Sequence, residues 1–263
     1  MAMACDAIIL AGGELNGELR NIAAQGNEGL ILVGSAPMIH YVYTALRAAA
    51  GINRIVISGP VELLSAILPR DDEQLYFTPG GDNMADSFAS AVNFLRRQGA
   101  ANHLLALPVD IPLISPEAIE DFIRRCEDIE GDFFYSLVLR EVCREKYPEQ
   151  IRTYFKLKDG VFTGGNLLLI NNSVVDRTLI MGQKLVARRK NPLALVSLFG
   201  PVVSLKLLLG RLSIAAAERR ALKVLKIRGR AVVTPYAEIG IDVDKLSDLE
   251  TVKKYLCADP IEE

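Results

Sequence analysis

Short continuous apolar runs alternate along the chain with stretches whose apolar residues recur every three or four positions. "DAIIL" (6–10), "RIVIS" (54–58), "QLYFT" (74–78) and "HLLALPVD" (103–110) are runs of strand formers bounded by turn residues. Their continuous apolarity fits central strands covered on both faces. Between them lie Met38, Tyr41, Val42 and Leu46, then Phe88, Val92 and Leu95, then Ile119, Phe122 and Ile123, each set on one face of a helix. Pro37 and Ser115-Pro116 suit helix starts. Strands and helices in this alternation predict a parallel sheet.

After residue 130 the rhythm changes. "DFFYSLVL", "TYFKL", the turn "KDG" and "GGNLLLI" predict further strands, two of them joined as a hairpin, so the sheet is expected to be mixed. Residues 183–225 predict helices interrupted at Asn191-Pro192, Gly200-Pro201 and Gly210, followed by a strand "AVVTP" and a helix from Leu246 to Leu256. The run "LALVSLFGPVVSLKLLLG" (193–210) has the length of a membrane span, but Gly200-Pro201 breaks it and Lys206 interrupts it. Two buried or interfacial helices are expected instead. The expected architecture is α/β: one domain over 1–263, a three-layer αβα sandwich on a mostly parallel mixed sheet, with a basic helical insert at 183–230.

Charge changes the picture because it is segregated. Lys184 to Arg230 holds twelve basic residues against one acid, Glu218, which leaves 18 basic against 31 acidic residues elsewhere although the net charge is only −2. Such a segment fits a solvated helix face beside an acidic body, a source of cations for phosphate, or peripheral contact with a membrane or acidic partner. Cys5, Cys126, Cys143 and Cys257 form no C-x-x-C pair and have no nearby histidine, so reduced thiols are expected rather than a zinc cage or disulfide framework. The first residues lack the basic region and apolar core of a signal peptide, which predicts a cytoplasmic protein.

Two places carry candidate chemistry. Gly12 and Gly13 end the first strand, where bare backbone can approach a phosphate or simply make a tight turn; the pair matches neither G-x-G-x-x-G nor G-x-x-x-x-G-K-[ST]. Asp110 ends the strand that begins near His103, the end of a parallel strand where ligands gather, although a turn carboxylate fits there too. Near the C-terminus, Asp242 and Asp244 alternate on a segment read as extended, so their side chains are expected to point to opposite sides, with only one reaching a given pocket. Asp248 suits the first turn of the last helix. One aspartate from each segment would suffice for magnesium, whose remaining positions go to phosphate and water. His40 and His103 read as structural.

In order along the chain, "AIILAGG", "VGSAPMIHYVYTAL", "PGGDNMADSFASAV", "PVDIPLISPEAI" and "GIDVDKLSDLE" resemble the segments of the MobA-like nucleotidyltransferases, relatives of the molybdenum cofactor guanylyl- and cytidylyltransferases within the GT-A-like fold. The resemblance covers about residues 5–125, and less closely 160–170 and 236–256. It implies nucleotide contact at Leu10, Ala11, Gly12, Gly13, Arg20, Gly80, Gly81 and Ser87, acceptor contact at Gly164, Gly165 and Asn166, and a catalytic metal pair of Asp110 and Asp244, with Asp242 as second choice. It departs where the family carries a phosphate-binding lysine after the glycine turn: this chain has Glu28 there, Ala36 in place of a second lysine, and Met84 where some cytidylyltransferases carry arginine. Lys184, Arg188, Arg189 and Lys190 in "GQKLVARRKNP" are the candidate replacement cations. The expected activity is Mg2+-dependent transfer of NMP from an NTP to a small phosphorylated or hydroxyl acceptor, by a monomer or homodimer without a nucleic-acid partner. The alternatives are a catalytically silent nucleotide- or partner-binding protein and, less well supported, a GT-A glycosyltransferase using the D-V-D at 242–244.

Overall fold

A computed structural model describes residues 3–12, 17–188 and 200–256. Strand β1 (Cys5–Leu10) is buried along its whole length. Its alternate side chains enter two separate cores, Ala7 and Ile9 on one face of the sheet and Ile8 and Leu10 on the other. This explains why the run is continuously apolar: both faces are covered.

A short hairpin, β2 (Leu32–Val33) and β3 (Ala36–Pro37), leads into α1 (Met38–Ala48). Then follow β4 (Ile52–Gly59), the single turn α2 (Val61–Leu64), β5 (Leu75–Pro79), α3 (Met84–Arg97), β6 (His103–Pro108) and α4 (Pro116–Glu127). Helix α3 starts without proline, because the Asn83 side chain accepts the N–H groups of Ala85 and Asp86 at 2.9 and 3.2 Å. Pro37 caps α1 from outside the helix, whereas Pro116 lies in the first turn of α4.

The second half supplies β7 (Phe133–Leu139), α5 (Arg140–Lys146), the hairpin β8 (Phe155–Leu157) and β9 (Gly160–Asn171), α6 (Val175–Arg188), α7 (Pro201–Leu208), α8 (Ile214–Leu225), β10 (Gly229–Thr234) and α9 (Leu246–Leu256). The main sheet has eight strands in the order β10-β7-β9-β6-β1-β4-β5, with β8 paired to β9. β1 runs parallel to β4 and β6, β4 to β5, and β7 to β10; β9 is antiparallel to β6, β7 and β8. Helices α1 and α4 cover one face, and α3 and α6 the other. The expected mixed sheet between helical layers is thus the observed one.

The basic segment is only partly packed. Val203 and Leu207 of α7, with Leu212 and Ile214, sit on Leu137, Leu157 and Phe162. Val202, Leu205 and Leu208 face outward at 65, 58 and 77% exposure, so α7 is covered on one side only. No helix among the described residues is long and apolar enough to cross a membrane. Cys5, Cys126 and Cys143 are buried free thiols, and Cys257 lies outside the described residues.

Candidate active site

The carboxyl ends of β1, β4, β5 and β6 meet at one rim of the sheet. The chain leaves β1 through Ala11 and Gly12, and these residues lie against glycines from two other strand ends. A Cβ on Gly12 would come within 3.1 Å of Ser87 Oγ and 3.4 Å of Gly80 Cα, and one on Gly59 would come within 2.7 Å of the Ala11 carbonyl oxygen. Backbone here is packed on backbone, and only glycine permits that approach. Ser87 Oγ accepts the Gly81 N–H at 3.0 Å, holding the loop before α3 in place. Gly12, Gly59, Gly80 and Gly81 line an open cleft of about 560 Å³, with Pro60, Val61 and Glu62 along its other wall.

Of the residues expected to touch nucleotide, Gly12, Gly80 and Gly81 line this cleft, and Ser87 supports it. Leu10 and Ala11 are buried, and their backbone groups are engaged: Leu10 O accepts Val109 N–H at 3.1 Å, and Ala11 N–H donates to Ser58 O at 2.8 Å. Their part is to place Gly12. Arg20 stands exposed on the one-turn 3-10 helix Gly17–Asn21. Gly13, Arg189 and Lys190 lie outside the described residues, and Lys184 and Arg188 fall on the last turns of α6.

Beside the cleft lies an acidic centre. Asp110, Asp242 and Asp244 each place a carboxylate oxygen so that all three lie within 4.8 Å of one another. This corrects the expectation that Asp242 and Asp244 face opposite ways. Their segment is not a strand: it follows the 3-10 turn Ala237–Gly240 as irregular chain, with Val243 buried between them. The Val243 N–H donates to Asp110 O at 2.9 Å, which fixes the two segments to each other. The alternation rule applies only where the backbone is extended, and here it is not. Asp248 has the structural role expected of it. Its Oδ2 accepts the N–H groups of Asp244 and Lys245, both at 3.1 Å, and Gln150 donates to its Oδ1 at 3.0 Å.

The support for this loop comes from an irregularity in β9. Pairing of β7 with β9 breaks between Tyr135 and Leu137, where Ser136 Oγ donates to Leu167 O and accepts Leu167 N–H, both at 3.0 Å. Side chains on Gly164 and Gly165 would strike Tyr135 and Ser136. Asn166 then projects from the break and donates from Nδ2 to Ile239 O at 3.0 Å. The segment expected to meet the acceptor therefore also holds the turn that carries Asp242. From the other side, Ser115 at the start of α4 donates to Glu238 at 3.0 Å, and Lys146 pairs with the same carboxylate at 2.9 Å.

Asp110 is the strained member of the centre. Its Oδ1 is buried without a hydrogen-bond partner. Burial, then the Glu28 carboxylate and then Asp244 push its pKa up to about 8. Glu28 is likewise raised, first by burial and then by Asp244. Arg152, on the loop before β8, binds Asp242 through Nη1 and keeps a buried, unpartnered Nε. Sequence reasoning missed Arg152, which lies in no periodic segment and no motif; its only signal is a lone arginine in a loop following Pro148. All-oxygen, partly buried carboxylate donors with one orphaned oxygen fit a hard divalent cation such as Mg2+.

The strand ends thus carry a glycine-floored cleft and an aspartate cluster. Residues 7–192 match the MobA-like NTP transferase domain, and the chain belongs to that family. It is similar to a hypothetical transferase from Thermus thermophilus at 36% identity and a TM-score of 0.81, over 94% of this chain and 100% of that one. CMP:2-keto-3-deoxy-manno-octonic acid synthetase, solved with CTP, shares the fold at 12% identity and a TM-score of 0.60, over 98% of this chain and 99% of that one. So does 4-diphosphocytidyl-2C-methyl-D-erythritol synthase from Anaerococcus prevotii, at 13% identity and 0.59, over 97 and 96%. No curated protein matches the chain.

Proposed function

We propose that the chain, acting as a single catalytic domain, transfers the NMP group of an NTP to a small phosphorylated or hydroxyl acceptor in a Mg2+-dependent reaction. An acceptor oxygen forms the new bond to the α-phosphorus, a hydroxyl acceptor losing its proton to water, while the bond from that phosphorus to the oxygen bridging it to the β-phosphorus breaks and pyrophosphate leaves with the electron pair. The observation that carries the proposal is the convergence of Asp110, Asp242 and Asp244 beside the cleft at Gly12.

In this reading Gly12, Gly80 and Gly81 let base and sugar lie against backbone. Asp110 and Asp244 hold the metal, with Asp242 oriented by Arg152 as the third donor. Bound there, Mg2+ would neutralise phosphate charge and orient the α-phosphate. The Nε of Arg152, buried without an acceptor, suits a phosphate oxygen of either substrate. Gly164, Gly165 and Asn166 border the acceptor side. Lys184, Arg188, Arg189 and Lys190 are candidate phosphate cations. The free buried thiols suit a cytoplasmic setting.

The test is pyrophosphate release from each of the four NTPs with Mg2+, over a panel of sugar phosphates and polyols, together with thermal shifts for each NTP. NTP-specific stabilisation that needs Mg2+ and disappears in Asp110→Asn supports the assignment. Absence of any NTP-dependent shift overturns it. A second reading has its own observation, Glu28 at the lysine position: stabilisation by NTP without turnover on any acceptor would mark a nucleotide-binding protein that has lost catalysis.

A further inference from the structure

Helix α7 has two unlike sides, and both are apolar. Val203 and Leu207 pack into the small core built on Leu137, Leu157 and Phe162. On the other side Val202, Leu205 and Leu209 follow the i, i+3, i+7 spacing that lines side chains along one helix face, and with Leu208 each is more than half exposed. Single exposed apolar residues are ordinary on a protein surface. Four of them within residues 202–209 form a patch of the kind that marks a contact surface.

Positive charge frames that patch. Lys206 within the helix and Arg211 just beyond it are exposed. Arg220 stands against the start of α7, where a Cβ on Gly200 would come within 2.8 Å of its Nη2, and Lys156 against the end, where a Cβ on Gly210 would come within 3.1 Å of its Cδ. Glu218 is the sole acid in the sequence between Gly200 and Arg230, and it is engaged, by Arg230 at 3.1 Å and by the Ala231 N–H at 2.9 Å. Outside Lys184 to Arg230 the balance is reversed, 18 basic against 31 acidic residues. An anionic surface would therefore attract this side of the molecule and repel the rest.

We infer that α7 and the turn after it dock on an anionic lipid bilayer, with Val202, Leu205, Leu208 and Leu209 entering the interface and the flanking Lys156, Lys206 and Arg211 meeting lipid phosphates. The composition favours lipid over protein as the occupant: no aromatic residue occurs between Gly200 and Arg230, whereas protein interfaces are enriched in Tyr, Trp and Phe at their centres. Aliphatic side chains framed by Lys and Arg suit the membrane interface, where apolar burial and attraction to anionic headgroups add. The contact is peripheral, since no helix among the described residues is long and apolar enough to cross. This inference goes beyond the reaction proposed at the strand ends and does not depend on it.

Sedimentation of the full chain with vesicles of phosphatidylcholine alone, and of phosphatidylcholine mixed with phosphatidylglycerol, tests it without reference to activity. Binding is expected on the mixed vesicles, about tenfold or more tighter than on phosphatidylcholine, and weaker at high salt. Leu205→Asp combined with Leu208→Asp should weaken it about tenfold or more, Lys206→Glu combined with Arg211→Glu should abolish the preference for phosphatidylglycerol, and Leu32→Asp, an exposed leucine elsewhere, should leave binding unchanged. Urea midpoints show that each variant is folded. Failure of the native protein to bind mixed vesicles, or equal binding by the native protein and the folded leucine variant, would overturn the inference. So would a native dimer that the leucine variant turns into a monomer, which would make a second copy the occupant, or binding to polyglutamate without binding to vesicles, which would mark an acidic protein partner.

Discussion

Two aspartates with buried side-chain oxygens stand at opposite ends of the parallel strands, and the fold treats them in contrasting ways. Asp6, at the start of β1, is fully enclosed and fully bonded: Arg54 grips both its oxygens at 3.0 and 2.9 Å, and the Ala101 N–H donates to it at 2.8 Å. Asp110, just past the end of β6, has a buried oxygen with no partner and further carboxylates for neighbours. A buried charge is tolerable when paired and hydrogen-bonded, and costly when it is not. Asp6 therefore belongs to the structure. Asp110 is stabilised only by something that arrives.

The largest expected effect that sharpens this contrast is on pH dependence. Asp110 is raised from the ordinary carboxylate range up to about 8, so the native protein keeps a proton that the unfolded chain gives up. Without metal, stability should then fall as pH rises from about 4 to about 8, by an amount on the order of 5 kcal/mol at most. Asp110→Asn should flatten that slope, and urea denaturation with a chelator at several pH values reads it. A native slope no steeper than the variant's would break the contrast.

Next in size, Asp6→Ala should cost about 3 to 5 kcal/mol, because it strands the Arg54 guanidinium against the sheet. Added Mg2+ should recover none of this loss, whereas Mg2+ should stabilise the native protein. The intermediate cases come third. Asp242→Asn should cost about 1 to 3 kcal/mol by weakening the partner of the mostly buried Arg152. Asp244→Asn, at an exposed position, should stay within about 0.5 kcal/mol. Both should weaken Mn2+ binding. Equal stability losses would mean that Arg152 contributes nothing through its pair. The smallest change expected is for Asn27→Ala, about 1 kcal/mol from two lost side-chain bonds, Nδ2 to Ala11 O at 2.7 Å and Oδ1 from Gly29 N–H at 2.9 Å, with weakened nucleotide-dependent stabilisation because the glycine turn loses its tether to Asn27.

How much was legible in the sequence follows the same divide. Continuous apolar runs, helical spacing and the turn at "KDG" placed β1, β4–β9, α1, α3 and α4, because burial on both faces leaves a direct mark on composition, whereas the β2–β3 hairpin, the single turn α2 and α5 went unread. Asp110 and the glycine turn were legible because strand ends are where a parallel sheet exposes backbone. The direction of Asp242 and Asp244 was not, since a four-residue irregular segment is shaped by long-range bonds, from Asn166 to Ile239 and from Val243 to Asp110. Arg152 was missed for the same reason. Glu28 was noticed only as a departure from the family; its half-buried position follows from long-range bonds that no periodicity announces, such as Asn27 to Ala11 O.

The strand β9, which runs against its neighbours, also sets a timetable for the nascent chain. Strands β1, β4, β5 and β6 and the glycine-floored cleft are all encoded before residue 110, and they can assemble while synthesis continues. The outer edge of β6 stays unpaired until residues 168–171 have been made, which leaves an open strand edge to be guarded during that interval. The loop bearing Asp242 and Asp244 emerges later still, roughly 7 to 27 s after Asp110 at about 5 to 20 residues per second. A half-made molecule can thus hold the cleft and Asp110 but lacks Asp242 and Asp244, so the aspartate centre is completed with nearly the last of the folded chain.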